Sequence, residues 1–298
     1  MSRALKWRRG SLAHPRLSYL EIGPPDGPLV LALHGFPDVP GTFRDLASRL
    51  AERGYRCVLP WMRGYAPSTV RGPFGPETIA SDVLLLADTL SPREPVSLMG
   101  HDWGAVAVYG ALARAPWRFK SAITMAVPHP SQFLRGLLRD PAQLYRSRYM
   151  FWFQCIGLSD RSVRMNDFAY IRTLYRRWSP GWSPPPAHLE EVKSCLDASL
   201  PGPLDYYRAL GIHGGWTRLA SLRRGAWSAP IPVPTLYLHG SRDGVISREV
   251  GVGQERMFVG RFRSETISDA GHWLHLEKPE ETWRHVSGWL ASGRDVLR

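Results

Sequence analysis

The run Val96-Ser-Leu-Met-Gly-His-Asp-Trp-Gly-Ala105 sets a carboxylate where it can do chemistry. Val96–Met99 reads as a strand and Trp103–Ala115 as an alanine-rich helix. Gly100-His101-Asp102-Trp103-Gly104 is therefore a sharp strand-to-helix turn of the pattern glycine-x-nucleophile-x-glycine. Flanking glycines suit such a turn because its neighbours crowd the backbone. The middle residue is pushed into strained φ/ψ space and its side chain is lifted above the sheet edge. Here that residue is Asp102, not serine. The competing role for Asp102 is a helix N-cap. A carboxylate is a poor acylating nucleophile, because the mixed anhydride it would form is unstable. It does well in displacement at saturated carbon, where it yields an alkyl ester that water must then cleave at the carboxyl carbon.

The segment resembles the α/β-hydrolase superfamily, and further motifs recur in that family's order along nearly the whole chain. His34-Gly35-Phe36-Pro37 is similar to the loop after the third strand of that fold, and Arg63-Gly64-Tyr65 follows the fourth. The resemblance implies an oxyanion hole built from the backbone N–H groups of Phe36 and Trp103, and a cis bond before Pro37. His34 is expected to brace the loop, and Asp38 to be a loop residue. The superfamily orders nucleophile, acid, histidine. Among ten histidines, His272 in Asp269-Ala-Gly-His-Trp273 has the family's position, with His275 the nearest rival. Asp243, in Gly240-Ser-Arg-Asp243, is the implied orienting acid. Its alternative is an Asx-turn at a strand end. The stretch after the sixth strand, Ala126-Val-Pro-His129, offers no carboxylate.

An aspartate at the elbow leaves two chemistries, epoxide hydrolysis and dehalogenation. An alkoxide leaving group needs a proton donor, and a tyrosine with its pKa near ~10 is such a donor at neutral pH. Tyr149-Met-Phe-Trp-Phe-Gln154 and Tyr206-Tyr-Arg208 resemble the two cap-tyrosine motifs of α/β-hydrolase epoxide hydrolases. The resemblance gives Tyr149 and Tyr207 the roles of epoxide-oxygen donors; both could instead be core aromatics. Trp152, where relatives often have tyrosine, could bind halide and keeps a haloalkane dehalogenase as the alternative. Phe36 stands where those enzymes usually place asparagine. Ala105-Val-Ala107 lacks the arginine that fluoroacetate dehalogenases use. A non-catalytic ligand-binding member of the fold is the third reading. The expected enzyme is an epoxide hydrolase with no cofactor and no metal. Its pocket is lined by Phe36, Trp103, Phe151 and Trp152 and suits a small apolar or aryl epoxide. Activity should fall at low pH as His272 protonates, and at high pH if a cap tyrosine ionises.

These residues need a framework, and the hydropathy pattern supplies one. Leu17–Ile22 alternates like an edge strand, and Leu29–Leu33 is a continuous apolar run typical of a strand covered on both faces. A helix at about 42–52, a strand over Tyr55–Leu59 and a helix over Thr78–Leu90 follow, with a further strand at Ala122–Met125. Thr235–Leu238 and Phe262–Ile267 read as strands and Pro279–Ala291 as a helix with proline in its first turn. The expected fold is α/β, a mostly parallel sheet with flanking helices. Residues 1–128 and 228–298 form its two parts, and 129–227 an inserted helical cap.

The chain has 298 residues, 44% of them hydrophobic, which excludes intrinsic disorder. Its net charge is +12, and all but four of its 38 basic residues are arginine. They are scattered, and no nucleic-acid module is recognisable, so no nucleic-acid partner is expected. No apolar run is long enough for a membrane span, and no signal peptide is expected at the N-terminus. Cys57, Cys155 and Cys195 are too widely spaced for a disulfide framework and fit a cytoplasmic setting. Monomer and homodimer are both compatible with the sequence.

Overall fold

The computed structural model describes residues 5–211 and 229–292. Strands β1 (Arg8–Leu12), β2 (Leu17–Ile22), β3 (Leu29–Leu33), β4 (Arg56–Pro60), β5 (Val96–His101), β6 (Phe119–Met125), β7 (Thr235–Gly240) and β8 (Phe262–Ile267) form one sheet. Their order is β1-β2-β4-β3-β5-β6-β7-β8, antiparallel at the β1 end and parallel from β4 to β8. Every residue of β3 and β5 is buried, which is why β3 runs apolar without alternation.

Leu17–Ile22 does not lie at the edge. β1 covers it, pairing antiparallel from Arg8↔Glu21 to Leu12↔Leu17. β1 is Arg-Arg-Gly-Ser-Leu and mostly exposed, so it carries no apolar alternation to announce it. The first expected helix divides into a 3-10 turn at Pro40–Phe43 and α1 (Arg44–Glu52). α2 (Pro76–Leu90) packs on α3 (Trp103–Arg114), and α3 lies against β3, β5 and β6. The C-terminal helix, Pro279–Ser292, packs on α1.

Between β6 and β7 the described chain, up to residue 211, is largely helical. The segments are α4 (Pro130–Arg139), α5 (Pro141–Arg146), α6 (Arg148–Trp152), α7 (Leu158–Trp178), α8 (Pro186–Ser199) and α9 (Gly202–Leu210). The expected boundary at 227/228 lies outside the described residues. Registers set the chemistry-bearing loops side by side. Leu33 pairs with Gly100, His101 with Met125, Met125 with Leu238, and Gly240 with Ile267. Thus the turns after β3, β5, β7 and β8 share the carboxyl edge of the sheet, where open α/β sheets bind ligands.

Candidate active site

Asp102 has φ 52° and ψ −119°, a left-handed backbone that L residues rarely adopt. Its side chain makes no capping bond to α3. It turns back toward the β3 loop, where Oδ1 accepts the Phe36 N–H at 2.8 Å. The turn closes only around glycines. A Cβ on Gly104 would sit 1.9 Å from the Leu33 carbonyl oxygen, and one on Gly35 would sit 2.3 Å from Asp102 Cβ. The Trp103 N–H opens α3, where an N–H has no intrahelical acceptor. The peptide Phe36–Pro37 is cis, as the resemblance implies.

His272 is fully buried, and its Nδ1 lies 2.9 Å from Asp243 Oδ2. The other oxygen of Asp243 accepts the N–H groups of Val245 (2.7 Å) and Ile246 (3.0 Å), fixing the carboxylate after β7. His272 Nε2 lies 3.6 Å from Asp102 Oδ2 and has no hydrogen-bond partner among the described residues. Burial disfavours a charge on His272. Asp243, with Asp102 behind it, outweighs burial and raises its pKa to about 10. Burial would raise the Asp243 carboxyl in turn, but the facing His272 holds it below its ordinary value. The expected nucleophile, base and acid therefore meet in one line.

Two backbone contacts brace that line. His101 Nε2 lies 2.9 Å from the His272 carbonyl. The Trp178 carbonyl, at the end of α7, accepts the N–H groups of Gly244 (2.9 Å) and His272 (3.1 Å). The last carbonyls of a helix have no intrahelical partner, and here one ties the acid loop to the base loop.

Tyr149 on α6 and Tyr207 on α9 come together from opposite ends of the helical segment. Their rings are 5.4 Å apart and nearly perpendicular. Tyr207 packs on Phe36 (5.5 Å) and Trp103 (5.2 Å), over the expected oxyanion hole. Its hydroxyl is buried with no hydrogen-bond partner among the described residues. Burial first, then neighbouring groups including the Asp102 charge, raises both hydroxyls well above the ordinary tyrosine pKa. Gln154 Nε2 donates to the Tyr207 carbonyl (2.9 Å), and Arg208 Nε to the Phe153 carbonyl (2.8 Å). Gln154 and Arg208 stand inside the tyrosine motifs, but their residue types alone announce no such role. Trp178 carried no signal at all.

The expected lining is only partly assembled. Phe36 and Trp103 are buried beneath Tyr207. Trp152 lies on the wall of the cleft beside Tyr149, and its indole N–H donates to Ser162 Oγ at 3.2 Å. Phe151 is 57% exposed and is not on that wall. Phe153, fully buried, takes the inward position and packs on Phe36, Tyr149 and Tyr207. Positions four apart on a helix share a face and positions two apart do not, so this was readable from spacing.

His34 braces its loop, with Nε2 accepting the Met62 N–H (3.2 Å) and Nδ1 at 2.9 Å from the Gly35 carbonyl. His275, the rival base, lies elsewhere, with Nε2 on Thr42 Oγ1 and its ring stacked on Phe43. Among the described residues, one cluster has metal-ligand residue types: Asp38, His101 and His275 place donor atoms within 4.8 Å of one another. Asp38 already spends its oxygens on the Val39 N–H, the Trp273 indole N–H and His188. Burial would raise its carboxyl, but His188 holds it well below the ordinary range, and Asp38 in turn raises His188. The Asp38 carboxylate is thus already met by His188, which is outside that cluster, and by two N–H donors.

The alpha/beta hydrolase fold family matches residues 28–153. Epoxide hydrolase 3 of Xenopus tropicalis is 30% identical over 92% of this chain and 74% of that protein. Epoxide hydrolase A of Mycobacterium tuberculosis is 27% identical over 89% and 91%. The structure of Bacillus megaterium epoxide hydrolase in complex with an inhibitor superposes with a TM-score of 0.81 over 95% of this chain and all of that one, at 23% identity, a likeness of fold. No described helix is long and apolar enough to cross a membrane. Identity sustained across nine-tenths of the chain, on a sheet that lifts a carboxylate at its elbow, means that the chain belongs to the epoxide hydrolase family of the α/β-hydrolase fold.

Proposed function

We propose that the protein hydrolyses epoxides to vicinal diols through a covalent ester on Asp102. One observation carries this reading: the Asp102 carboxylate is held between the Phe36 N–H and the imidazole of His272, with buried Tyr207 packed on Phe36 and buried Tyr149 packed on Tyr207.

With Oδ1 held by Phe36, Oδ2 is the attacking oxygen. It bonds to an oxirane carbon, the C–O bond of the ring breaks, and the oxygen takes a proton or hydrogen bond from Tyr149 and Tyr207. Water then attacks the Asp102 carboxyl carbon while His272 takes its proton, and Asp243 supports the resulting imidazolium. Charge develops on Oδ1, already at the Phe36 N–H, and the Trp103 N–H is the second donor. Each such donor is worth roughly 3–4 kcal/mol in studied cases. Collapse breaks the Cγ–Oδ2 bond, so Oδ2 leaves in the diol and the water oxygen takes its place; the imidazolium gives its proton to the departing alkoxide, and the new carboxyl group gives its proton to the tyrosine that protonated the ring oxygen, which restores the carboxylate.

The aromatic wall of Tyr149, Trp152, Tyr170 and Trp178 supports an apolar or aryl substrate body. Engagement of the Trp152 indole with Ser162 weakens the case for a halide site there. The described part of the segment 129–227, up to residue 211, acts as a cap over the sheet, and the free thiols of Cys57, Cys155 and Cys195 support a cytoplasmic setting.

The test is His272→Gln incubated with styrene oxide and with a chloroalkane, followed by intact mass. The ester should accumulate on Asp102 with the full mass of the epoxide added. A gain of the alkyl part alone, from the chloroalkane only, would identify a dehalogenase. No adduct with either, from folded protein, would overturn both.

A further inference from the structure

Only one oxygen of Asp243 faces His272, so the rotation of the carboxylate matters. The other oxygen accepts the Val245 and Ile246 N–H groups, and the short loop after Asp243 therefore sets that rotation. The loop is itself held by two buried side chains, one from the sheet and one from the cap.

From the sheet comes His239, on β7. Its Nε2 lies 3.2 Å from the Ile246 carbonyl, and its Nδ1 lies 2.7 Å from the Tyr237 hydroxyl and 3.1 Å from the Ala126 carbonyl. Burial opposes a charge on this ring and lowers its pKa, so the ring carries one N–H. Both carbonyls can only accept. Nδ1 has a donor in reach, the Tyr237 hydroxyl, whereas Nε2 faces a carbonyl alone. The N–H therefore sits on Nε2 and donates to Ile246, and Nδ1 accepts from Tyr237.

From the cap comes Gln143, on α5. Its Nε2 donates to the Val245 carbonyl at 2.9 Å, and its Oε1 accepts the Ser247 N–H at 2.9 Å. Asp243, His239 and Gln143 together take up the N–H and carbonyl groups of Val245 and Ile246 and the N–H of Ser247. Turning any of these peptides would strand a buried polar group, so the two N–H groups stay aimed at Asp243.

We infer that His239 and Gln143 are positioning residues for the base step, holding the Asp243 carboxylate in line with His272 through the loop Val245–Ser247. Among the described residues, neither bonds to Asp102, Asp243 or His272; both act through the loop. This rests on the epoxide-hydrolase reading, in which Asp102 and the tyrosines make the ester while His272 and Asp243 break it. Loosening Asp243 should then slow the breaking of the ester and spare its making.

The experiment is rapid quench of styrene oxide turnover, with intact mass giving the ester fraction and diol giving the rate. The two steps are thereby resolved separately. In His239→Leu and in Gln143→Met, ester hydrolysis should slow by roughly tenfold or more, the scale on which a small misplacement of a catalytic group acts, with ester formation within about twofold of native. His239→Gln, whose amide can still donate toward the Ile246 carbonyl, should recover most of the rate. Tyr237→Phe keeps the ring but removes its donor and should also slow hydrolysis; with Gln143→Met it carries the test if His239→Leu does not fold. Val286→Ala, buried in the C-terminal helix that packs on α1, should lower the melting temperature and leave both steps unchanged. Native rates of ester hydrolysis in the folded variants overturn the proposal and leave the hydrolase reading standing. An equal slowing of both steps overturns it too, as does a slowing in Val286→Ala as large as theirs, since lost stability would then be the cause. No diol from the native protein, with no ester on His272→Gln, would sink the hydrolase reading and this proposal with it.

Discussion

Nε2 of His272 lies 3.6 Å from Oδ2 of Asp102, while Nδ1 is bonded to Asp243. Two carboxylates thus face one buried ring and lift its pKa to about 10. A protonated ring cannot accept a proton from water. Esterification removes the charge of Asp102, and with it part of what holds the proton, so the pKa falls when a base is needed. Formation of the ester should therefore be nearly flat through neutral pH. Its hydrolysis should slow as pH falls through the lower pKa of the esterified state, where the ring is again protonated. Rapid quench with intact mass should show the ester fraction growing on acidification. Growth on alkalinisation instead would contradict the assignment of His272 as base.

Both tyrosines stay protonated well above the ordinary range because burial, reinforced by neighbouring groups and the Asp102 charge, opposes ionisation. The alkaline loss of activity expected from an ordinary tyrosine is therefore displaced beyond the working range. Tyr149→Phe and Tyr207→Phe should each lower kcat/KM by roughly 10²-fold, the usual scale for a lost proton donor. The double variant should be slower than either. Tyr207→Phe should leave the melting temperature level or higher, because its hydroxyl is buried with no hydrogen-bond partner among the described residues. Full activity in the double variant would remove both from the mechanism.

Gly35 approaches the nucleophile so closely that an added Cβ would sit 2.3 Å from Asp102 Cβ and 2.5 Å from Oδ1. Gly35→Ala must then displace either the Phe36 loop or the carboxylate it holds. Overpacking of this kind costs about 1–3 kcal/mol. A thermal melt should register that loss, and diol formation should fall much further than stability does. Equal activity would show that the elbow has slack the structure does not contain.

Local patterns were legible and distant ones were not. Gly100 to Gly104 identifies its own turn, because the strand before it and the helix after it are adjacent in sequence. Asp243 and His272 could be placed because each follows a strand of clear hydropathy, and the structure brings them to 2.9 Å. β1 escaped notice because an exposed edge strand has no apolar face to show. The Trp178 carbonyl between Gly244 and His272 was unreadable, since backbone groups carry no residue signature and the partners lie far along the chain.

Gln154 shows how such a distant contact can control the site without touching substrate. Its amide donates to the Tyr207 carbonyl, 53 residues away, and to the Met150 carbonyl one turn back. It therefore links the end of the helix that carries Tyr149 to the helix that carries Tyr207. Gln154→Leu keeps much of the volume but removes both donors, which should cost about 1–2 kcal/mol of stability as two carbonyls lose a partner. A merely structural role would end there. As a positioning residue it should also lower kcat several-fold with KM little changed, and lower it further in the wild-type than in the Tyr207→Phe background, where the hydroxyl it positions is gone. A double-mutant cycle measures that coupling. Strictly additive effects on kcat would reduce Gln154 to a scaffold contact.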